Sequence, residues 1–188
     1  LQKALSTIRE QASNSTELGN AFERLSKVFL ENDATQTQQY SKVWHYEDWA
    51  KEHEGYSVKD IGIDLVAKLR DEEGYCAVQC KFYEAEHSIS KSDLDSFISA
   101  SSTNDFTRLM LIDTSTQPIG SNAQSVFDNI NQDYIRIQLS ELEESRIDWS
   151  SYINDGTVRL HSKKELRDHQ IKALNAVREG LAEDHRGK

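Results

Sequence analysis

Residues 60–83 constrain the fold of this chain most, because their pattern predicts two strands joined by a tight turn. At residues 63–68, Ile, Leu and Ala alternate with Asp, Val and Lys, which is the two-residue period of a β-strand. The polar run at residues 70–74 ends in a glycine that can adopt a positive φ, as is typical of a turn. Residues 75–83 then alternate again. We therefore expect a β-hairpin at the centre of the chain.

Three polar side chains fall on one face of this hairpin. Gln79 and Lys81 share a face of the second strand, whereas Cys80 points the other way. If the strands pair antiparallel, Asp64 near the end of the first strand lies opposite them. A carboxylate, a second oxygen ligand and an ammonium group can hold a hard divalent cation and a water beside a phosphate. The alternative is a hairpin with a solvated polar face.

This arrangement resembles the PD-(D/E)XK nuclease superfamily, and more closely its Mrr-like branch, in which Gln replaces the usual acidic residue before X-Lys. The motif reads Gly-Ile-Asp at 62–64 and Gln-Cys-Lys at 79–81. The resemblance implies three catalytic residues. Asp64 is the metal-binding carboxylate, Gln79 is a second metal ligand through its side-chain oxygen, and Lys81 lies near the attacked phosphate. The implied cofactor is Mg²⁺, with Mn²⁺ as an alternative.

A further metal ligand is implied on the first core helix. Glu23 lies one position off an apolar stripe at helical spacing, about 100° around the helix. The stripe consists of Leu18, Phe22, Leu25 and Phe29. In the superfamily the first core helix often supplies a Glu to the metal site, and Glu23 is the matching residue. The alternative is a solvated helix carboxylate. Asp60 is either an additional ligand or a surface neighbour.

The elements around the hairpin predict an α/β fold. Their order is helix, three strands, helix, strand, helix, strand, helix. Strand–helix–strand repeats imply parallel pairing for the later strands, within a mixed central sheet flanked by helices. This order matches the αβββαβ core of the restriction-endonuclease-like superfamily. Ser140 and Glu143 form a capping-box pattern for the last helix. The aromatic residues at 40–49 are able to stack on bases, but we expect them in the core and at its rim.

Length and composition are typical of a folded globular protein. The chain has 188 residues, of which 37% are hydrophobic and 29% charged, enough for one domain with a complete core. No apolar run approaches a membrane span and no signal peptide is visible, so we expect no membrane partner and a cytoplasmic location. The two cysteines lie too far apart on one strand to form a disulfide. The six histidines show no metal-ligand spacing, which indicates packing or surface roles.

The end of the chain predicts a second, truncated unit. We place the nuclease domain at residues 1–156, and a linker with the first helix of a helicase-like ATPase domain at 157–188. Residues 166–170, Leu-Arg-Asp-His-Gln, resemble the Q motif of superfamily 2 helicases, which implies that Gln170 contacts the adenine of ATP. The alternative is an ordinary amphipathic helix. No phosphate-loop motif is present, so ATP would serve only the motor of a full-length protein.

An Mrr-like nuclease followed by a Q motif resembles the N-terminus of type I-like restriction enzymes of the single-chain type ISP group. The resemblance implies a Mg-dependent endonuclease for double-stranded DNA, with helicase-like, methyltransferase and target-recognition domains in the same full-length chain. The net charge of −10 argues against tight DNA binding by this part alone, which we expect to be a monomer. The alternatives are a free-standing Mrr-type or Holliday-junction nuclease, a type III-like nuclease on a different motor, and a catalytically silent docking module.

Overall fold

Five strands form one mixed sheet with helices on both of its faces in the computed structural model of the chain. The structure describes residues 1–59, 61–162 and 168–184. The strands are β1 (Tyr40–His45), β2 (Leu65–Leu69), β3 (Tyr75–Lys81), β4 (Phe106–Asp113) and β5 (Asp133–Ile137). The helices are α1 (Gln2–Gln11), α2 (Ser15–Asn32), α3 (Gln36–Gln39), α4 (Tyr46–Glu52), α5 (Asp95–Ser101), α6 (Ser121–Phe127), α7 (Leu139–Glu144), α8 (Trp149–Asp155) and α9 (Asp168–Asp184).

The hairpin predicted at the centre of the chain is present. β2 and β3 pair antiparallel, with Leu65 opposite Val78 and Ala67 opposite Cys76. Gly74 occupies the turn with a φ of +103°, as the sequence predicts. β1 extends the antiparallel part of the sheet, whereas β4 pairs parallel to β3 and β5 pairs parallel to β4. The sheet order β1-β2-β3-β4-β5 confirms the expected α/β fold with a mixed central sheet.

Both faces of the sheet are buried. One face packs against α1, α2, α7 and α8, and its core includes Leu5, Phe22, Leu25, Phe29, Leu65, Val78, Met110, Leu142 and Trp149. The other face packs against α4 and α5, and its core includes Trp49, Val66, Ala77, Phe97 and Leu109. The near-continuous apolar run of β4 is typical of a parallel strand that is covered on both sides. Alternation in the hairpin therefore separates two cores, and the hairpin has no solvated face along its length.

The aromatic residues after β1 pack in the core, as expected. Trp49 is fully buried, and the ring centroids of His53, Tyr75 and Phe106 lie 4.4, 5.2 and 5.2 Å from that of its own ring. Beyond Trp49, the chain continues α4 as far as Glu52. Burial of the aromatic face stabilises this helix, which is too short for its periodicity to be recognised in the sequence.

The start of α7 differs from the predicted one. Gln138 and Glu141 form its capping box, not Ser140 and Glu143, because the helix follows β5 without a loop. The Gln138 amide nitrogen also donates to the carbonyl of Ser115 at 3.1 Å. This bond ties the helix start to the chain just after β4, which a local capping pattern does not reveal.

The segment after α8 bonds back to the residues that precede that helix. The N–H of Asp148 donates to the carbonyl of Arg159 at 2.8 Å, and the N–H of His161 donates to the carbonyl of Arg146 at 2.7 Å. The domain boundary placed at residue 156 stays a prediction.

α9 carries the second part of the predicted Q motif. Gln170 lies in its first turn with an exposed side chain, and its contact with adenine stays a prediction. Leu166 and Arg167, which begin that segment, lie outside the described residues, as does Asp60. In the part of the chain that the structure describes, no helix combines the length and the apolarity needed to span a membrane.

Candidate active site

Asp64 directly precedes β2 and is held by two neighbouring strands. Its backbone N–H donates to the carbonyl of Val78 on β3 at 2.9 Å, and its carbonyl accepts from the N–H of Tyr46, just after β1, also at 2.9 Å. The sheet therefore fixes the Cα of Asp64. A side chain on such a rigid part of the scaffold is positioned more precisely than one on a loop.

The turn before Asp64 requires glycine. Gly62 has a φ of +92°, and a Cβ there would lie 2.6 Å from Ser96 Oγ and 3.0 Å from the backbone nitrogen of Phe97. The first distance is too short for a real Cβ contact and the second is tighter than most, and the left-handed backbone conformation adds strain for other residues. The close packing of α5 on Gly62 thus decides where the chain places Asp64.

The Asp64 carboxylate points at the three-residue segment that forms the second half of the motif. Its Oδ2 accepts a hydrogen bond from the backbone N–H of Cys80 at 2.6 Å. Continuing the β2–β3 register one residue beyond the Leu65–Val78 pair places Asp64 opposite Gln79. A carboxylate that accepts from a backbone N–H makes a short, charge-assisted bond. This bond orients the carboxylate toward β3.

Gln79 is buried on β3, with 4% of its surface exposed. Its Oε1 atom is inaccessible, and among the described residues it has no hydrogen-bond partner. A buried polar atom without a partner costs about 1–3 kcal/mol, so its presence in a native fold requires an explanation. A ligand role supplies one, because amide oxygens are among the ligands of hard divalent cations.

Lys81 ends β3 and is half-buried. Its backbone lies opposite Asp113 on β4, and its carbonyl accepts from the N–H of Thr114 at 3.2 Å. The fully buried Asp113 carboxylate is bound by two nitrogens of Arg136, at 2.7 and 3.0 Å. Within the described ranges, the ammonium of Lys81 forms neither an ion pair nor a hydrogen bond. Arg136 therefore neutralises the adjoining acid, and the charge of Lys81 is available to an anionic ligand.

Glu23 faces the same space as Asp64. Both line a cleft of about 440 Å³ between α2, the end of β1 and the start of the hairpin. The other lining residues are Asn20, Arg24, His45, Tyr46, Glu47, Asp48, Val58 and Ile63. Gln79 and Lys81 do not line this cleft. Their link to it is the Asp64 carboxylate, which bonds to the strand between them.

The pKa of the Cys80 thiol is affected by three charged groups that the sequence assigns to the site. Burial raises its pKa well above the ordinary value, the carboxylates of Asp64 and Glu23 raise it further, and Lys81 lowers it. One side chain thus interacts electrostatically with all three charged groups that the sequence assigns to the site. The structure therefore brings Asp64 and Glu23 to one cleft, whereas Lys81 lies outside that cleft, at the end of the strand to which the Asp64 carboxylate bonds.

His45 and Arg24 are among the polar side chains of the cleft that sequence reasoning does not identify. His45 ends β1; burial lowers the pKa of its ring, and the cations of Lys27 and Arg24 add to this effect, so the ring is neutral at pH 7. Arg24 is exposed beside Glu23 on α2. Its position next to Glu23 is the only sequence signal for Arg24. No sequence signal identifies His45, because β1 contacts α2 only in the folded chain.

The donors at the site are those of a hard divalent cation. Among the described residues, which do not include Asp60, no group of three or more His, Cys, Asp and Glu side chains is placed to hold a metal. The oxygen donors are instead two carboxylates, of Asp64 and Glu23, and the amide oxygen of Gln79. The partnerless Gln79 Oε1 supports this fit, because a ligand would satisfy it. Waters and a substrate phosphate commonly complete the coordination of Mg²⁺.

Comparisons with known proteins find one family and several solved structures. The Mrr catalytic family Mrr_cat_2, described as restriction endonuclease, matches residues 31–158. The ATP-dependent type ISP restriction-modification enzyme LlaBIII bound to DNA has 28% sequence identity and a TM-score of 0.69, covering 95% of this chain and 11% of that chain. The DNA modification-dependent restriction endonuclease AspBHI has 13% identity and a TM-score of 0.46, covering 97% of this chain and 40% of that chain. The MspJI restriction endonuclease in complex with a 27-mer oligonucleotide has 16% identity and a TM-score of 0.48, covering 74% of this chain and 29% of that chain. No curated protein matches the sequence significantly.

The family match covers more than half of the chain and includes Asp64, Gln79 and Lys81, whereas Glu23 precedes it. The similarity to LlaBIII extends over nearly the whole chain, although the chain spans only 11% of the length of that enzyme. These findings confirm the resemblance to an Mrr-like nuclease with a type ISP enzyme as a structural neighbour. The chain therefore belongs to the Mrr-type family of restriction endonucleases.

Proposed function

We propose that this chain is the DNA-cleaving domain of a restriction enzyme and hydrolyses phosphodiester bonds with the help of Mg²⁺. The observation that carries the proposal is the buried Oε1 of Gln79, the residue opposite Asp64 in the hairpin, which has no hydrogen-bond partner among the described residues, in a chain of the restriction endonuclease family. This unsatisfied atom costs stability in the free protein, and a bound metal would offset that cost.

Asp64, Gln79 and Glu23 are the residues that would hold the metal, and Mn²⁺ is an alternative to Mg²⁺. When bound, the metal stabilises negative charge on the phosphoryl oxygen and lowers the pKa of a bound water. Because Gln79 is neutral, this donor set has one negative charge fewer than a site with Asp or Glu at the same position. We therefore expect weaker metal affinity, with the substrate phosphate completing the ligand set.

Lys81 supplies the positive charge that the protein itself brings to the reaction. In-line attack by water builds negative charge on the phosphoryl and leaving oxygens, and a positioned cation stabilises it. The ammonium of Lys81 is suited to this role because, among the described residues, no carboxylate pairs with it. The hydrogen bond from Cys80 holds the Asp64 carboxylate against the same strand, so the two groups keep their relative position.

The similarity to LlaBIII supports a wider proposal about the full-length protein. That protein is described as an ATP-dependent type ISP restriction-modification enzyme bound to DNA. By analogy, the substrate here is double-stranded DNA in the cytoplasm, and helicase-like, methyltransferase and target-recognition domains belong to the same chain. Residues 157–188 would begin the ATP-driven motor, with Gln170 contacting the adenine of ATP.

The test is a plasmid-nicking assay on the full-length enzyme, run beside an ATPase assay on the same preparations. Asp64→Asn removes the main charged anchor of the metal and should lower cleavage by about 10²–10³-fold or more, while ATP hydrolysis stays near wild type. Lys81→Gln should reduce cleavage to a similar extent. Asp48→Asn is the matched control, because Asp48 lines the same cleft but pairs with Lys51 at 3.4 Å.

Metal removal completes this test. EDTA should stop cleavage, and added Mg²⁺ or Mn²⁺ should restore it. Normal cleavage by Asp64→Asn would mean that the site lies elsewhere. If the wild-type enzyme does not nick DNA with Mg²⁺ or with Mn²⁺, the chain is a silent docking module and the proposal fails.

A further inference from the structure

A second, smaller cleft adjoins the proposed active site on α2. It has a volume of about 240 Å³, lies between the end of α1 and the first half of α2, and includes Gln11 in its lining. Asn20 and Arg24 line both this cleft and the cleft of Asp64. The two clefts therefore adjoin each other at α2, with Asp64 in the lining of one and Gln11 in the lining of the other, and together they are called the groove below.

Arg24 lines the groove and, within the described residues, has no ion-pair partner. Arg24 is exposed, and in the described part of the chain its guanidinium forms neither an ion pair nor a hydrogen bond. Five acids line the two clefts, and two of them, Glu23 and Asp64, are the proposed metal ligands. Glu47 and Asp48 pair with Lys51 at 2.7 and 3.4 Å. Glu17 accepts from a backbone N–H before α2 at 2.8 Å. An anion in the groove would thus meet an available guanidinium, which binds phosphate through two nitrogens.

A glycine lies in the interior of α2 next to Asn20, although Gly19 itself lines neither cleft. Gly19 costs helix stability relative to alanine, yet a Cβ there would meet only Glu23 Oε1, at an ordinary 4.0 Å. Packing within the described chain therefore does not require glycine at this position. Gly19 lies four residues before Glu23, and Asn20 lies four before Arg24, so both pairs share the groove side of the helix. The missing side chain lets the backbone of another molecule approach closely.

We propose that this groove holds the backbone of the cleaved DNA strand beside the attacked phosphate, with Arg24 binding the adjoining phosphate and Asn20 donating a hydrogen bond to the same strand. The inference rests on the proposed nuclease function, because it takes Asp64 as the point of cleavage. A nucleic-acid strand fits because it is anionic along its length and continues from one cleft into the next. A single small anion would occupy only one of the two clefts.

The first test measures binding of a labelled DNA duplex by fluorescence anisotropy, with Ca²⁺ in place of Mg²⁺ to prevent cleavage. Arg24→Gln should weaken binding on the order of tenfold. It should also lower the slope of log K against log salt concentration by about 1, the value for one lost phosphate contact. Lys27→Gln is the matched control, since Lys27 lies on the next turn of α2 but pairs with Glu31 and lines neither cleft. It should leave the slope unchanged.

A second measurement locates the phosphate. Duplexes carry one neutral methylphosphonate at a time around the mapped cut. The wild-type protein should lose affinity when the phosphate beside the scissile one is neutral, and Arg24→Gln should show no such loss. Gly19→Gln adds a side chain to the groove face, and should weaken binding without lowering the Tm.

Equal salt slopes and equal methylphosphonate profiles for the wild type and Arg24→Gln would overturn the inference. Its failure is distinguishable from failure of the proposed function. If Asp64→Asn abolishes nicking but Arg24→Gln has no effect on binding, the function stands and the groove assignment falls. If Asp64→Asn still cuts at the normal rate, the function falls, and the groove assignment loses its point of cleavage with it.

Discussion

The buried amide of Gln79 leads to a prediction in which stability and activity change in opposite directions. Its Oε1 has no hydrogen-bond partner among the described residues, and only 4% of the residue is exposed. Methionine has a similar length and no strong acceptor, so Gln79→Met removes the unpaired oxygen without leaving a cavity. The free energy of unfolding should therefore rise by about 1–3 kcal/mol. For a protein of this size, that is a rise of roughly 2–12 °C in Tm.

The same substitution removes a proposed metal ligand. Cleavage should fall, but less than in Asp64→Asn, because a neutral ligand contributes less to holding a cation. Urea and thermal unfolding in EDTA measure the first effect, and plasmid nicking in Mg²⁺ measures the second. Mg²⁺ should also stabilise the wild-type protein more than the variant, because only the wild type offers the amide oxygen.

Gln36 provides a matched control for this experiment. Its Oε1 is also buried and has no hydrogen-bond partner in the described ranges, but Gln36 lies on α3 and does not line the cleft. Gln36→Met should stabilise the chain to a similar extent and leave cleavage unchanged. If Gln79→Met is less stable than the wild type in EDTA, the amide oxygen has a partner in solution. That result would refute the reasoning that assigns Gln79 to the metal.

Three further predictions concern the turn before Asp64, the hydrogen bonds of Asp93 and the net charge of the chain. Gly62→Ala should destabilise the protein by about 1–3 kcal/mol and reduce nicking, because it strains the turn that places Asp64; an unchanged urea midpoint would contradict this. Burial alone would raise the pKa of Asp93, but hydrogen bonds from Ser90, Tyr83 and His87 hold it at about 2. Its contribution to stability is present above the ordinary value of 3.8 and is lost as the pH falls through about 2; in acid unfolding, Asp93→Asn should therefore lose less stability over this range than the wild type. The 188-residue chain should bind duplex DNA weakly because its net charge is −10, and nanomolar affinity at physiological salt in anisotropy measurements would show otherwise.

Local sequence patterns were sufficient to predict the hairpin and to select Asp64, Gln79 and Lys81. Alternation, a polar turn and a turn glycine are properties of neighbouring residues, and a short turn forces the two halves of the motif to face each other. The observed register of the hairpin agrees with these signals, and the parallel pairing of β4 follows from the strand–helix–strand order. The roles of the three side chains stay predictions, because chemistry is not a property of the pattern alone.

Contacts between distant elements account for what the sequence could not predict. Alternation in the hairpin indicates one covered and one open face, but α4 and α5 cover the side that carries Gln79, and its burial therefore has no local signal. Arg24 and His45 share a cleft only because α2 crosses the end of β1. The capping box of α7 was misplaced because its first residue is anchored to the chain after β4, far away in sequence.

The parallel pairing of β4 with β3 has a consequence for the synthesis of the protein. Asp64, Gln79 and Lys81 are all translated before β4, but the carbonyl of Lys81 bonds to Thr114, which follows that strand. Translation proceeds at about 5–20 residues per second, so the outer edge of β3 stays unpaired for a few seconds. An unpaired apolar edge associates readily with other chains. A chain that stops before β4 thus contains every motif residue but lacks the strand that pairs with β3 next to Lys81, and we expect it to associate with other chains through that edge.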